Sequence, residues 1–238
     1  MQLQVKIKLD KPLTLPLAYH HILQSALYSL MVENGNCSLH DGGYSDEKKV
    51  FKLFTFGPIS GKYSVRNGKI TFFNEACFEF RCVDKKYGGA VASNIVQKGI
   101  CFGENIYHDV EIHCSDVEIS NQKIEVKMIS PITVYGTDLG GKTTYYNPFD
   151  RSFSEAVVNN SKRKYEAYVG RPYEDEVRFE VVHVNEKDKY LTRYKGFIIE
   201  GYKGVYKIGG SETLLKLLYD AGIGSKNSQG FGMFDIIG

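Results

Sequence analysis

The sequence predicts an α+β protein in which the order β-α-β-β-α-β occurs twice in succession. Alternating hydrophobic positions mark the strands, hydrophobic positions three and four residues apart mark the helices, and turns rich in glycine or proline separate them. The chain has 238 residues, of which 42% are hydrophobic, and this fraction is enough for a packed core. At about 100–200 residues per domain, the length allows one large domain or two small ones.

The first β-α-β-β-α-β order is predicted within residues 1–120. Leu3, Val5, Ile7 and Leu9 alternate with polar residues, as in a strand with one buried face. A helix with hydrophobic positions from Ile22 to Met31 follows, and Asn34-Gly35-Asn36 is its predicted stop. The rest of this half is predicted as a strand at 50–56, two strands joined by a turn at 66–69, a helix near 90–97 and a strand at 106–119.

The second occurrence is predicted within residues 121–238. A strand carrying Ile124, Val126 and Met128 begins it. After an irregular insertion come a helix at 153–168 and strands at 177–184 and 191–206, the latter bent or interrupted at Gly196, Gly201 and Gly204. A helix near 214–221, with Ser211 and Gly222 as caps, and a last strand at 231–237 follow. Two such units in succession are typical of tandem ferredoxin-like domains, which we place at 1–120 and 121–238.

Composition and charge limit the function classes. The sequence has 30 Lys and Arg residues and 28 Asp and Glu residues, which gives a formal charge of +2. This charge excludes a polycation, although it permits local basic clusters. No hydrophobic run approaches the ~20 residues of a membrane helix, and the alternating start is unlike a signal peptide. Five cysteines, an odd number in a long chain, favour a reducing compartment. We therefore expect a cytoplasmic protein without a membrane partner.

Two motifs suggest chemistry that their context does not favour. Residues 136–143 match the phosphate-loop pattern G-x-x-x-x-G-K-[ST], but β-favouring residues and Pro148 follow, where a phosphate loop needs a helix. A glycine-rich hairpin turn is the favoured interpretation. Cys77 with Cys82 and His108 with His113 are spaced by four residues, but no Cys-x-x-Cys pair accompanies them. We predict neither a metal nor a cofactor.

The glycine-rich segment 222–233 is the most specific motif of the chain. Its glycines allow the backbone to approach a phosphodiester closely, Lys226 adds positive charge, and Asn227, Ser228 and Gln229 add hydrogen-bonding groups. A long turn before an edge strand is the alternative, but such a turn would need only two glycines. The segment therefore predicts an anion-binding loop.

Residues 222–234, with the sequence Gly-Ile-Gly-Ser-Lys-Asn-Ser-Gln-Gly-Phe-Gly-Met-Phe, resemble the C-terminal glycine-rich loop of the CRISPR-associated repeat-RNA endoribonucleases. That family is a branch of the repeat-associated mysterious protein superfamily. Four further stretches agree in the same order along the chain: Leu23-Gln24-x-x-Leu27-Tyr28, Leu39-His40, Lys52-Leu53-Phe54-Thr55-Phe56 and Ile129-Ser130-Pro131-Ile132-x-Val134. The family has two ferredoxin-like domains, as does the fold predicted above.

The resemblance implies metal-independent cleavage of CRISPR repeat RNA, with a 2′,3′-cyclic phosphate and a 5′-hydroxyl as product ends. It places the family's catalytic histidine, tyrosine and lysine on His40, Tyr28 and Lys52. The segment between His40 and Lys52 is longer and more charged than in the family, so Lys48 and Lys49 remain alternatives to Lys52. His20 and His21 remain alternatives to His40, because some family members use a histidine in the first helix.

The resemblance also implies partners: the precursor RNA and the processed crRNA, and subunits of a CRISPR effector complex or a second copy of the chain. A non-catalytic RNA-binding subunit of such a complex is the alternative function. Basic residues beside aromatic ones are candidates for RNA contact, although such a run also suits a solvated helix or sheet face. The predicted RNA-binding residues are Gly224, Ser225, Lys226, Asn227, Ser228, Gln229 and Gly230 in the loop, Lys162, Arg163 and Lys164 in a helix, and Arg193 in a strand.

Overall fold

A computed structural model of the chain describes residues 1–32, 43–45, 49–138, 140–194 and 196–238. Its fold is α+β, as predicted. The elements of the N-terminal part are β1 (Gln2–Lys8), β2 (Leu13–Pro16), α1 (His20–Leu30), β3 (Tyr44–Ser45), β4 (Val50–Phe51), β5 (Phe54–Phe56), β6 (Ser60–Arg66), β7 (Lys69–Cys82), α2 (Lys85–Lys98), β8 (Ile100–Phe102), β9 (Asn105–Tyr107) and β10 (Val110–Ser115).

The elements of the C-terminal part follow in the same overall order. They are β11 (Lys123–Met128), β12 (Tyr135–Thr137), β13 (Thr143–Tyr145), α3 (Arg151–Val169), β14 (Arg178–His183), β15 (Lys189–Tyr194), β16 (Phe197–Tyr202), β17 (Val205–Gly209), α4 (Glu212–Ala221) and β18 (Phe234–Ile236). A single turn of 3₁₀ helix, Asn227–Gln229, lies within the glycine-rich segment.

Each part is built around one antiparallel sheet. The N-terminal sheet has the strand order β10-β1-β7-β2, and β5 and β6 also pair with β7. The C-terminal sheet has the order β14-β17-β11-β18. In both sheets the first strand of the β-α-β-β-α-β order lies between its third and fourth strands, which is the ferredoxin-like arrangement. Hydrophobic residues of the sheets and of the paired helices α1 and α2, or α3 and α4, form the two cores.

Several local predictions are confirmed. The β6–β7 hairpin turns at Asn67 and Gly68, which have φ angles of 51° and 72°, as a type I′ turn requires. Ser211 caps α4 by accepting a hydrogen bond of 3.3 Å from the N–H of Leu214, and Gly222 ends that helix with a φ of 82°. The predicted stop of α1 at 34–36 lies outside the described residues.

Two predicted strands are wrong in their continuity. The segment 50–56 is interrupted at Lys52 and Leu53, where Leu53 has a φ of 47°. The segment 106–119 contains two separate strands, the end of β9 and β10. The predicted interruption of 191–206 is confirmed at Gly196 and Gly204, where reversals with φ angles of 89° and 129° divide the chain into β15, β16 and β17, whereas Gly201 lies within β16. Strands β15 and β16 form a separate two-stranded hairpin beside the C-terminal sheet.

The phosphate-loop pattern at 136–143 is a hairpin turn, as predicted. Strands β12 and β13 pair, and the Asp138 carboxylate accepts hydrogen bonds of 2.9 Å from the N–H groups of Gly140 and Lys142. The residue after Lys142 begins β13 instead of a helix. None of the described helices combines the length and apolar composition needed to cross a membrane.

The interrupted segment 49–56 connects the two cores. Phe51 and Leu53 pack into the C-terminal core, whereas Phe54 and Phe56 pack into the N-terminal core. Odd- and even-numbered side chains of an extended segment point to opposite faces, which suits Phe51 and Leu53 on one side and Phe54 and Phe56 on the other. The segment lies against the glycine-rich loop.

Candidate functional site

The glycine-rich loop, residues 222–232, is folded tightly against both parts of the molecule. Gly230 adopts a φ of 87°, and a Cβ atom on it would lie 2.6 Å from the Phe56 ring and 2.7 Å from the His20 ring. Gly224 has a φ of 72° and lies just as close to the backbone oxygen of Thr133, at 2.8 Å from the Cβ position. These two glycines therefore allow the loop to pack closely against the rest of the protein.

Several N–H groups of the loop are bonded within the protein. Ser225 donates to the Thr133 oxygen at 2.7 Å, Gly230 donates to Asn227 at 2.9 Å, and Gly232 donates to Pro131 at 2.9 Å. The N–H groups of Ser225, Gly230 and Gly232 are therefore not available to an anion. The side chains of Lys226 and Ser228 are only partly buried.

Lys164 of α3 supports the loop from inside the molecule. It is 2% exposed, and its ammonium donates to the backbone oxygens of Gly222 and Gly224 at 2.5 and 2.8 Å and to Asn227 Oδ1 at 2.6 Å. Burial, and to a lesser degree the charge of Lys49, lowers the pKa of Lys164 well below its ordinary value. An ammonium with three protein acceptors cannot contact RNA directly, so we revise its predicted role to loop support.

Asn227 and two residues of the N-terminal part complete this support. The Asn227 amide donates to the backbone oxygens of Ile223 and Phe231, both at 3.0 Å. Thr55 Oγ1 also donates to Phe231, at 3.1 Å, and Gln24 Nε2 of α1 donates to the Ser228 oxygen at 2.6 Å. The loop is thus held by both parts of the molecule, with Asn227 buried inside it.

A cavity of about 180 Å³ lies between the loop and the segment 49–54. Lys49, Lys52 and Lys226 line it together with the buried Lys164, and no acidic side chain is among the described residues around it. The Lys226 ammonium lies 4.9 Å from the centre of the Tyr135 ring, and partial burial lowers the pKa of Lys226. Among the described residues, the partly buried Lys49, Lys52 and Lys226 line the cavity, and their positive charges favour a phosphate there.

The predicted catalytic residues Tyr28 and Lys52 both lie near Phe54. Lys52 lines the cavity beside Phe54, and the half-buried Tyr28 ring meets Phe54 edge-on with a centroid distance of 5.5 Å. His40 lies outside the described residues. Lys49, the alternative to Lys52, lines the same cavity; the other alternative, Lys48, is not among the described residues.

The two alternative histidines have different surroundings. His20 is 8% exposed, its Nδ1 has no hydrogen-bond partner among the described residues, and desolvation lowers its pKa to about 4. Its ring stacks on Tyr19 and Phe231 with centroid distances of 5.2 and 6.0 Å. His21 is exposed, and its Nδ1 lies 2.9 Å from the Ala18 oxygen. His20 is thus a packing residue behind the loop.

The remaining predicted RNA-binding residues lie around the cavity or away from it. The Arg163 guanidinium lies 5.8 Å from the centre of the Phe51 ring, and Phe51 lines the cavity. Lys162, two residues from the buried Lys164, is half-buried. Arg193 is exposed on β15, whose neighbour Tyr194 donates a hydrogen bond to the Gln24 side chain.

Tyr135 and Asn160 line the cavity but are absent from the sequence prediction. Asn160 precedes Lys164 by four residues in α3, so helical spacing places both on one face. That spacing is a signal the sequence does contain. Tyr135 carries no comparable signal, because its position depends on how the β12–β13 hairpin meets the loop.

Comparison with known proteins adds the decisive observation. The model of the family described as CRISPR associated protein Cas6, C-terminal, matches residues 114–236, which is more than half of the chain. This chain belongs to the Cas6 family. The family resemblance drawn from the glycine-rich loop is thereby confirmed.

Individual relatives agree over the whole length. The CRISPR-associated endoribonuclease Cas6 1 of Methanocaldococcus jannaschii is 27% identical over 239 aligned residues, which cover 98% of this chain and 91% of the relative. A solved structure titled as a Cas6-related gene from Pyrococcus furiosus superposes with a TM-score of 0.81 at 20% identity, covering 100% and 98% of the two chains. Another, titled as an RAMP protein binding different RNA substrates, has a TM-score of 0.80 at 21% identity with both chains covered completely. These two structures share the tandem ferredoxin-like Cas6 fold.

Proposed function

We propose that this chain is an endoribonuclease that cleaves CRISPR repeat RNA within precursor transcripts. The observation that carries the proposal is the cavity beside the glycine-rich loop, which Lys49, Lys52 and Lys226 line. Its position in a Cas6 protein supports the same conclusion, because the relative from Methanocaldococcus jannaschii is named an endoribonuclease. A polyanionic substrate is the chemistry that this electrostatic environment favours.

The proposed reaction is an internal transfer at one phosphate. The ribose 2′-oxygen forms a bond to phosphorus as the bond from phosphorus to the 5′-oxygen breaks, and the product ends are a 2′,3′-cyclic phosphate and a 5′-hydroxyl. A base accepts the 2′-hydroxyl proton and an acid supplies a proton to the 5′-oxygen. Negative charge grows on the phosphorane between these events, and nearby cations stabilise it.

The lysines around the cavity suit the electrostatic part of this reaction. Lys52 lies on the N-terminal side of the cavity and Lys226 lies on the loop side, so a phosphate between them would meet positive charge from both. We assign Lys52 to the phosphorane and Lys226 to binding. Tyr28, whose ring contacts Phe54, is assigned to orienting the nucleophile.

His40 is assigned to proton transfer on the basis of the family resemblance. A histidine with an ordinary pKa of ~6.5 exchanges protons near neutral pH. His20 is a poorer candidate because burial lowers its pKa to about 4 and aromatic rings enclose it. Metal independence, a cytoplasmic location and association with effector subunits or a second copy stay predictions from the sequence.

The test is a cleavage assay on the repeat RNA of the host's own CRISPR array. We expect cleavage to persist in chelator, to disappear when the scissile nucleotide carries a 2′-deoxyribose, and to leave a cyclic phosphate. His40→Ala should lower the rate by about 10²–10⁴-fold, and Lys52→Ala by about 10²–10³-fold, with RNA binding retained. Lys98→Ala is the control, since Lys98 is exposed at the end of α2 and does not line the cavity.

The outcomes separate the competing assignments. Cleavage of the 2′-deoxy RNA would contradict the proposed mechanism, and loss of cleavage in chelator would contradict metal independence. An unchanged rate for His40→Ala would move proton transfer to another residue, with His21→Ala as the next variant. Tight binding of the repeat without any cleavage would identify the alternative, a non-catalytic RNA-binding subunit.

A further inference from the structure

The Lys226 ammonium lies over the ring of Tyr135 in the cavity beside the glycine-rich loop. Its Nζ is 4.9 Å from the centre of the ring, and both residues line the cavity. The face of an aromatic ring carries negative charge density, so it attracts a cation placed above it. Both side chains are half-buried, and the attraction is stronger where the ammonium is partly removed from water. The contact therefore restrains a long side chain that is flexible by itself.

The backbone of Lys226 has a conformation that glycine adopts more readily. Its φ of 58° and ψ of 29° lie in the left-handed region. The loop also has positive φ angles at Gly222, Gly224, Gly230 and Gly232, and these positions are glycines. A Cβ atom disfavours the left-handed region, and residues held there are concentrated at functional sites. A lysine at such a position indicates that its side chain has a role that glycine could not fill.

Main-chain contacts hold the Tyr135 ring in place independently of the lysine. Tyr135 of β12 lies opposite Tyr145 of β13, and the two rings meet edge-on with a centroid distance of 5.7 Å. The Ser225 N–H donates to the Thr133 oxygen at 2.7 Å, so the loop runs beside the segment that leads into β12. This hydrogen bond joins the residue before Lys226 to the chain just before Tyr135.

An aromatic ring restrains a cation without neutralising its charge. A carboxylate beside Lys226 would compete with a phosphate for the ammonium. Within the described ranges no acidic side chain lines the cavity, and partial burial is the cause of the lowered pKa of Lys226. The charge of Lys226 is therefore available to an RNA phosphate. A side chain that is already restrained also loses less freedom when the RNA binds.

We propose that Tyr135 is a positioning residue that holds the Lys226 ammonium in place for a backbone phosphate of the bound RNA. This inference depends on the proposed function, because it takes RNA as the ligand of the cavity. The ring face of Tyr135, and not its hydroxyl, makes the contact with the ammonium. Removal of the ring should therefore weaken RNA binding only through Lys226, and phenylalanine should replace tyrosine without loss.

The contact itself is measured without RNA. Reductive methylation with ¹³C-formaldehyde labels the lysine amines and keeps their charge. The resonance of Lys226 is the one that is missing from Lys226→Met. Because the ring current shifts nuclei above an aromatic face upfield, we expect an upfield resonance in the unsubstituted protein and in Tyr135→Phe, and its loss in Tyr135→Leu. The same resonance position in all three proteins would overturn the inference.

The consequence for RNA binding is measured by fluorescence anisotropy with repeat RNA that carries a 2′-deoxyribose at the scissile nucleotide. Lys226→Met should bind about tenfold more weakly, and its slope of log affinity against log salt concentration should be smaller by ~0.7, as for one lost phosphate contact with a single strand. Tyr135→Leu should bind about fivefold more weakly and Tyr135→Phe less than about twofold more weakly. In the Lys226→Met protein, Tyr135→Leu should have no further effect.

The matched control is Tyr63→Leu. Tyr63 is exposed on β6 and does not line the cavity, so this variant is expected to keep the RNA affinity of the unsubstituted protein. Thermal unfolding of each variant shows whether a loss of affinity accompanies a loss of structure.

Three binding results would overturn the inference. An equal loss from Tyr135→Leu with and without Lys226 would mean that the ring contacts RNA itself. A loss in Tyr135→Phe as large as in Tyr135→Leu would mean that the hydroxyl is the important group. Unchanged RNA affinity in Tyr135→Leu, with a lower unfolding midpoint, would show a purely structural role. Failure of the unsubstituted protein to bind or cleave the repeat would instead contradict the proposed function, while the NMR measurement would still report the contact.

Discussion

At the scale of the residue, the surroundings of a side chain decide its chemistry more than its type does. His20 and His21 are adjacent in α1, yet the ring of His20 is buried between Tyr19 and Phe231 and that of His21 is exposed. Desolvation is the largest cause of the low pKa of His20, and the charges of His21 and Lys203 contribute. His20 is therefore neutral at physiological pH and packs behind the loop.

We predict that His20 makes the stability of the protein depend on pH. The pKa of His20 is about 4 in the folded protein and 6.5 in an ordinary histidine, so the unfolded chain binds the proton more readily between these values. The contribution is fully present above pH 6.5 and is lost as the pH falls to 4, by about 3 kcal/mol. Denaturant unfolding at pH 7 and pH 4 should show a smaller difference for His20→Phe.

The matched control for this prediction is His21→Phe. Because desolvation of the His20 ring is the largest cause of its low pKa and His21 is exposed, that variant is expected to keep most of the pH dependence of the unsubstituted protein. An equal pH dependence in His20→Phe and in the unsubstituted protein would contradict the prediction.

At the scale of the element, the glycine-rich loop owes its shape to side chains from outside it. Lys164 of α3, Thr55 of β5 and Gln24 of α1 bond its backbone, and Asn227 bonds it from within. The glycines correctly indicate that the loop backbone lies close to other atoms. At Gly224 and Gly230, however, the close neighbours are atoms of the protein and not those of a phosphodiester. The loop is a rigid wall that presents Lys226 and Gln229 to the cavity.

We predict that Lys164→Met destabilises the protein by about 3 kcal/mol. The variant leaves the oxygens of Gly222, Gly224 and Asn227 without their donor inside the protein. Its repeat-RNA binding should also weaken, because Lys226 would lose its fixed position. Urea unfolding and anisotropy measure the two effects.

Arg151→Met is the comparison for the loop prediction, since Arg151 is exposed in the same helix and lies outside the cavity lining. We expect its unfolding midpoint and RNA affinity to remain those of the unsubstituted protein. The same loss in both variants would show that the helix, and not the loop support, is sensitive to substitution.

At the scale of the whole molecule, a buried arginine joins the two sheets. Arg81 of β7 is fully buried, donates to the Phe234 oxygen of β18 at 2.6 Å and pairs with Glu79 and Asp235. Its guanidinium carbon lies 3.9 Å from the centre of the Tyr219 ring of α4. Together with Phe51 and Phe54, which pack into different cores, these contacts join the two parts of the molecule.

We predict that Arg81→Met lowers the free energy of unfolding by about 3–5 kcal/mol, because it leaves buried acceptors without their charged partner. Calorimetry should show the single transition broadening or separating into two as the parts lose their connection. Arg178→Met removes an exposed pair with Glu176 and is expected to leave the transition unchanged. A sharp transition at the original temperature in Arg81→Met would contradict the prediction.

Local patterns predicted most elements and much of the site. The spacing of Ile22 to Met31 indicated α1, and Ser211 and Gly222 indicated the ends of α4, because capping and amphipathic periodicity act within a few residues. The loop residues around Lys226 and the strand residue Lys52 were also predicted as functional, and they line the same cavity.

What the sequence by itself determined is therefore the order of elements, the turns and the family. Only the tertiary structure decided that Lys164 supports the loop, that His20 is buried and that the segment 50–56 breaks at Leu53. The reason is physical. Turns and caps depend on neighbours in the chain, whereas burial and an unpaired acceptor depend on which distant segments meet, and local periodicity carries no information about that meeting.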